Sequence, residues 1–214
     1  MRRRRDKLGD SSRRVRYAVY RIRWAGIALI LLGGLIAADR LGLFGERPAP
    51  VGGDCDRYHG KSFRVVYVVD GDTLDVDAPD GRRNTTRVRL WGVDAPETKH
   101  PTKGVGHFGP EASDFTQRAC AGKVVSLELV PGKTRGNHGR LLAYVTLPDD
   151  TLLNRELVRL GYAYADPRYE HPRKAAFEQQ QAAALAARRG LWRDVRGTDL
   201  PYYYRDRLLL PKAP

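Results

Sequence analysis

The sequence predicts an α+β fold: five short strands with about three helices inserted and appended, which suits a small closed barrel, behind one apolar N-terminal segment. Three observations carry this. Five stretches rich in β-branched and aromatic residues are bounded by Gly, Pro and Asp turn signals. Three later stretches carry helix start and stop signals, and an uncharged run follows a basic one near the N-terminus. At 214 residues there is room for one domain of ordinary size plus appendages.

Phe63 to Val69 (FRVVYVV) is the first strand and delivers Asp70-Gly71-Asp72 at its end. Thr73 to Asp77 alternates and pairs back through a turn, and Pro79-Asp80-Gly81 marks the next one. In Thr86 to Trp91, Val88 and Leu90 face one way, and Arg87, Arg89 and Trp91 the other. Residues 98–109 form a Gly/Pro-rich loop carrying Lys99 and Lys103. Pro110 then opens a helix, with Glu111 in its first turn, running to about Cys120. Lys123 to Val130 is the fourth strand and Arg140 to Leu147 the fifth, across a loop at 131–138. Asn154 starts a short helix that stops at Gly161. A long Ala/Gln-rich helix covers Pro172 to Arg189 and stops at Gly190. No internal repeat is present. The ending, 197–214, holds Tyr202 to Tyr204 and Leu208 to Leu210, too apolar for a solvated tail, and is expected to pack back on the barrel.

The N-terminus reads differently. The net charge is +13, but residues 1–23 hold ten Lys/Arg against Asp6 and Asp10, a net +8, so only +5 falls on everything after them. Trp24 to Ala38 follows as fifteen uncharged residues, shorter than the roughly 20 a spanning helix wants. Snorkelling of Arg23 and Arg40 extends the usable length, and Leu41 to Gly45 continue the run. Residues 24–45 are thus read as a single-pass anchor, with residues 1–23 as a basic cytoplasmic tail and the remainder outside the cytoplasm. The alternative is a signal segment cut near Ala37-Ala38, giving a secreted protein. Residues 46–61 read as a Pro/Gly-rich linker, 62–196 as the barrel domain. Cys55 and Cys120, the two cysteines, allow a disulfide between linker and barrel or two unrelated thiols; no cysteine cluster points to zinc.

The chemistry concentrates between Asp70 and Glu97. Asp70-Gly-Asp72 and Asp94-Ala-Pro-Glu97, with Arg89 just ahead of the second, put four carboxylates and a guanidinium on segments that a hairpin brings side by side. Clustered oxygens suit a hard cation, and an arginine beside it suits a phosphate. An Asp-Gly pair alone is usually a solvated turn. The cluster also departs from the EF-hand loop, because Leu74 stands where a third oxygen ligand should be.

VVDGDTLDV, RLWGVDAPETKHPTKGVGHFGPEAS and HGRLLAYV together resemble the thermonuclease (staphylococcal-nuclease-like) family in order and spacing, over roughly residues 62 to 193. The resemblance implies an OB-type barrel and a Ca²⁺-dependent, sugar-nonspecific endonuclease that acts on DNA and RNA and leaves 3′-phosphates. It implies that Asp72 and Asp94 hold Ca²⁺ with the backbone carbonyl of Ala95, where the family has threonine, and that Asp70 orients a metal-bound water rather than ligating. Glu97 matches the carboxylate that activates water; Arg89 and Arg140 match the two phosphate-gripping guanidiniums. Lys103 matches a loop lysine near the nucleic acid. His138 stands where the family has a tyrosine and has lost that segment's aspartate and lysine companions. A stacking platform is expected at Tyr164, with Tyr162 the other choice and plain core packing the alternative for both. The expected partners are DNA, RNA and, through residues 24–45, a membrane, with the protein a monomer. Two rivals stand beside the nuclease. One is a binding module on the same barrel that does not cut, which the joint presence of Asp72, Asp94, Glu97, Arg89 and Arg140 disfavours. The other is a membrane scaffold whose basic tail binds anionic lipid.

Overall fold

A ten-residue strand bent by two register shifts holds the architecture together. In the computed structural model, which describes residues 53–98 and 104–205, β1 (Lys61–Asp70) pairs along its first half with one neighbour and along its second half with another. Lys61 to Arg64 pair antiparallel with β5 (Val124–Glu128), and Val65 to Asp70 pair antiparallel with β2 (Thr73–Val76). The shifts at Val65/Tyr67 and Val68/Asp70 are bulges, which bend a strand and increase its twist, as closure requires. β3 (Thr86–Leu90) pairs antiparallel with β2 and parallel with β6 (Leu141–Thr146), and β6 pairs antiparallel with β5. The order β1-β2-β3-β6-β5 therefore closes on itself.

Alternation fills the barrel. Val65, Val68, Leu74, Val76, Val88, Leu90, Val125, Leu127, Leu141, Ala143 and Val145 are all buried. Outside the barrel lie four helices among the described residues: α1 (Asp54–Tyr58), α2 (Gly109–Cys120), α3 (Leu153–Arg159) and α4 (Lys174–Ala186), with a 3₁₀ turn at Gly190–Arg193. A second small sheet pairs β4 (Val93–Asp94) with β7 (Tyr164–Ala165). Asn154 on α3 is fully buried and welds the parallel seam. Its Nδ2 donates to the carbonyls of Trp91 and Ala143, at 2.9 and 3.2 Å, and its Oδ1 accepts from the Val145 N–H at 2.9 Å.

Several expectations need correction. There are four helices rather than about three, because α1 forms inside the expected linker 46–61, and β1 already begins at Lys61. Arg135 explains the extra helix: its guanidinium joins Asp54 on α1 to Asp80 after β2, at 2.7 and 2.6 Å. Trp91 does not share the polar side of β3 but is 4% exposed. Both cysteines are free thiols, Cys120 being buried and bonded through Sγ to the Thr116 carbonyl. The anchor at 24–45 and the tail at 1–23 lie outside the described residues, among which no helix is long and apolar enough to cross a membrane.

Residues 200–204 pack back, while Leu208 to Leu210 lie outside the described residues. Leu200 and Tyr204 enter a second apolar cluster with Tyr164, Ala184, Leu191 and Trp192.

Candidate functional site

The hairpin between β1 and β2 sets the first carboxylate. Gly71 is required there: a Cβ would lie 2.6 Å from the Ala95 Cβ and 3.0 Å from that of Ala112. The Gly71 carbonyl accepts from Thr116 Oγ1 on α2 at 2.7 Å, so helix and hairpin are locked together. Asp72 follows with 1% exposure, its Oδ1 accepting from Thr73 Oγ1 at 3.0 Å and its Oδ2 from the Ala95 N–H at 2.6 Å. Asp70 Oδ1 accepts from the Asp72 N–H at 3.1 Å, which is an orienting contact.

Arg89 on β3 sits between two carboxylates. Nη1 donates to Asp72 Oδ1, and Nη2 donates to Asp94 Oδ1 and, at 3.2 Å, to the Val93 carbonyl. Burial pushes the Asp72 carboxyl well above the ordinary carboxylate range, with Arg89 opposing and the neighbouring Asp70 and Asp94 adding to the rise. Burial also works against the Arg89 charge, but Asp72 and Asp94 outweigh it and raise its pKa further. Asp72 and Asp94 thus share the Arg89 guanidinium between them.

Arg89 and Asp94, but not the buried Asp72, open onto a cleft of about 340 Å³ that Asp70, Glu97, His138 and Arg140 also line. Arg140 precedes β6 and touches Thr73 Oγ1 through Nη1 at 3.5 Å. Glu97 is exposed at the rim, but its backbone is held. Its carbonyl accepts from the Gly106 N–H at 2.8 Å, and a Cβ on Gly109, the first residue of α2, would approach that carbonyl to 2.5 Å. His138 is exposed on the same cleft. Lys103 lies outside the described residues. Asp94, Arg89, Glu97, Arg140 and His138 thus line one cleft, while Asp72 is buried, joined to Arg89 and to the Ala95 N–H.

Tyr164 does not join them, and this corrects the expected stacking platform. It is 2% exposed on β7, edge-on to Trp192 at 5.4 Å, and its hydroxyl has no hydrogen-bond partner among the described residues. Tyr162 is also packed, stacked on Phe115 at 4.4 Å. The strand is buried on both faces, so period-two reasoning could not find an outward side. The exposed cleft tyrosine is Tyr169, 44% exposed, with Lys133 Nζ 5.3 Å from its ring. Its signal was Asp166-Pro167, a turn that throws the following Arg168 and Tyr169 outward.

Two further residues escaped sequence reasoning. Arg168 pairs with Asp166 at 2.7 Å and reaches Asp94 Oδ1 at 3.2 Å. Tyr203, from the C-terminal segment, donates to Asp94 Oδ2, and the Arg168 guanidinium covers its ring at 4.3 Å. Burial, reinforced by Asp94, pushes the Tyr203 phenol far above its usual range, so it stays a donor.

Asp72 and Asp94 offer carboxylate oxygens, which suit a hard cation. Among the described residues no three His, Cys, Asp or Glu side chains cluster as ligands.

Residues 87–194 match the family described as Staphylococcal nuclease homologue. The thermonuclease of Staphylococcus hyicus is 36% identical over 135 residues, covering 62% of this chain and 76% of that protein. The thermonuclease of Staphylococcus intermedius is 37% identical over 136 residues, covering 62% and 77%. Endonuclease YhcR of Bacillus subtilis (strain 168) is 32% identical over 177 residues, which is 78% of this chain and 14% of that much longer protein.

Proposed function

From the premise that the chain belongs to the staphylococcal nuclease family and is a nuclease, we propose that it is a Ca²⁺-dependent, sugar-nonspecific endonuclease that leaves 3′-phosphates. The observation that carries the reading is the lining of one cleft by Asp94, Arg89, Glu97 and Arg140, with the buried Asp72 bonded to Arg89 beside it. Asp72, Asp94 and the Ala95 carbonyl would hold the cation. When bound, it supplies positive charge next to the phosphate and keeps the two carboxylates ionised.

The chain's own groups perform the remaining work. Arg89 spends an Nη1 hydrogen and both Nη2 hydrogens on Asp72, Val93 and Asp94, which leaves its Nε–H and second Nη1–H for the phosphate. Arg140 grips the phosphate from the β6 side. Charge accumulates on the phosphoryl oxygens at the transition state, so two fixed guanidiniums lower the barrier. Glu97, at the solvent rim, takes a proton from the attacking water as the water oxygen bonds to phosphorus. The bond to the 5′ oxygen breaks, that oxygen takes a proton from solvent, and the phosphate stays on the 3′ oxygen. Tyr169 offers a face for a base beside the cleft. Among the described residues no helix lines the cleft, so backbone contact and stacking would set a low sequence preference. Residues 24–45, as an anchor, would hold this activity outside the cytoplasm.

The test is degradation of plasmid DNA and of RNA by the full-length chain, with Ca²⁺ and with chelator, beside Glu97→Gln and Arg89→Ala. Calcium-dependent cutting is expected, falling about 10²–10⁴-fold in Glu97→Gln and about 10²–10³-fold in Arg89→Ala. Nucleic acid bound but never cut, at any Ca²⁺ level, would instead identify a binding module.

A further inference from the structure

We propose that Tyr203, delivered by the C-terminal strap at residues 200–204, is a positioning residue that fixes the Asp94 carboxylate for the divalent cation. The inference rests on the reading of Asp94 as a cation ligand, and it concerns a segment beyond the family match at 87–194.

Asp94 needs such support. It sits at the end of β4, a two-residue strand paired only with β7. Its Oδ1 is drawn toward Arg89 and, at 3.2 Å, toward Arg168, so from that side alone the carboxylate is free to swing about its χ angles. Tyr203 takes the other oxygen. A phenol occupies one lone pair of Oδ2 and leaves the second for a cation, which orients the ligand without blocking it.

The strap is built to hold Tyr203 at this point. Leu200 and Tyr204 are plugs in the second apolar cluster on either side of it. The Tyr204 hydroxyl donates to the Ala165 carbonyl on β7 and accepts from Gln181 Nε2 at 3.0 Å, while Gln181 Oε1 accepts from the Ala165 N–H at 2.8 Å. Consecutive tyrosines therefore grip both strands of the small sheet, Tyr204 on β7 and Tyr203 on β4. Arg168, 4.3 Å above the Tyr203 ring, closes the stack. If the strap only covered apolar surface, Leu200 and Tyr204 would suffice and position 203 would need no hydroxyl.

The experiment is a calcium titration by calorimetry on the full-length chain, comparing wild type with Tyr203→Phe and Tyr202→Phe. Phenylalanine at 203 keeps the ring beneath Arg168 and removes only the donor. Weakening of about 10-fold or more is expected for Tyr203→Phe, with cooperative thermal unfolding retained in chelator. The exposed neighbour Tyr202→Phe should titrate as wild type. Unchanged affinity in Tyr203→Phe would overturn the inference and leave the nuclease reading standing. Tighter binding would also overturn it, because the phenol would then be a competitor of the cation. A wild-type chain that takes up no Ca²⁺ would remove Asp94 as a ligand and the positioning role with it.

Discussion

Cys120 ends α2 with no exposed surface, and burial pushes its thiol up to about 11, with Lys123 only partly offsetting this. A thiol that is neither ionised nor reachable does not react. Ellman's reagent at about pH 8 should therefore titrate Cys55 alone in the native protein and both cysteines after denaturation. His171 gives the complementary pH prediction. Its Nδ1 lies 2.8 Å from the Tyr144 hydroxyl, and burial, aided by Lys174, lowers its pKa below 6.5 against the pull of Asp166 and Glu170. The unfolded chain then takes up this proton first as pH falls. The contribution of His171 is fully present above about 6.5 and is lost below it, until the folded value is passed. Urea unfolding from about pH 7.5 to about pH 5.5 should show stability falling, and His171→Gln should flatten that slope by up to about 1.4 kcal/mol per pH unit. At this scale the carboxylates and arginines were legible because identity and spacing alone mark them. Tyr164 was not, because whether a tyrosine is platform or core depends on what packs on it. Here that is Trp192 and Tyr204, distant in sequence.

The elements rich in β-branched and other apolar residues were readable to within a few residues: Phe63–Val69 became Lys61–Asp70, and Arg140–Leu147 became Leu141–Thr146. Those without a period were not. β4 and β7 have two residues each, and α1 has five, so none carries a pattern; each exists because of tertiary partners. The parallel seam between β3 and β6 is likewise invisible locally, since neither strand's alternation says which neighbour it will find. Asn154 is the residue that fixes it, and its sequence signal, a helix start, pointed to a different job. Asn154→Ala would leave the Trp91 and Ala143 carbonyls and the Val145 N–H short of a partner in a buried place. The expected cost is about 2–3 kcal/mol, measured as a lower urea midpoint. The dependence on denaturant should be unchanged, because the barrel remains closed through its other seams.

Across the whole molecule, charge and chemistry are segregated along the chain. Of the net +13, the first 23 residues carry +8, while the cleft works with a few cations held by specific acidic partners. If the tail supplied the attraction for nucleic acid, removing it would weaken capture and make it less sensitive to salt, because each phosphate that a cation neutralises releases a counterion. If the tail instead orients an anchor by its positive charge, the cleft keeps its own Arg89, Arg140 and Lys133 and is unaffected. The second arrangement follows from the anchor reading, in which the tail lies directly ahead of residues 24–45 in the sequence. Deleting residues 2–23 should therefore leave kcat/KM on single-stranded DNA within about twofold of the full chain, with the same slope against salt. A fall of about tenfold, together with a shallower slope, would assign substrate capture to the basic tail.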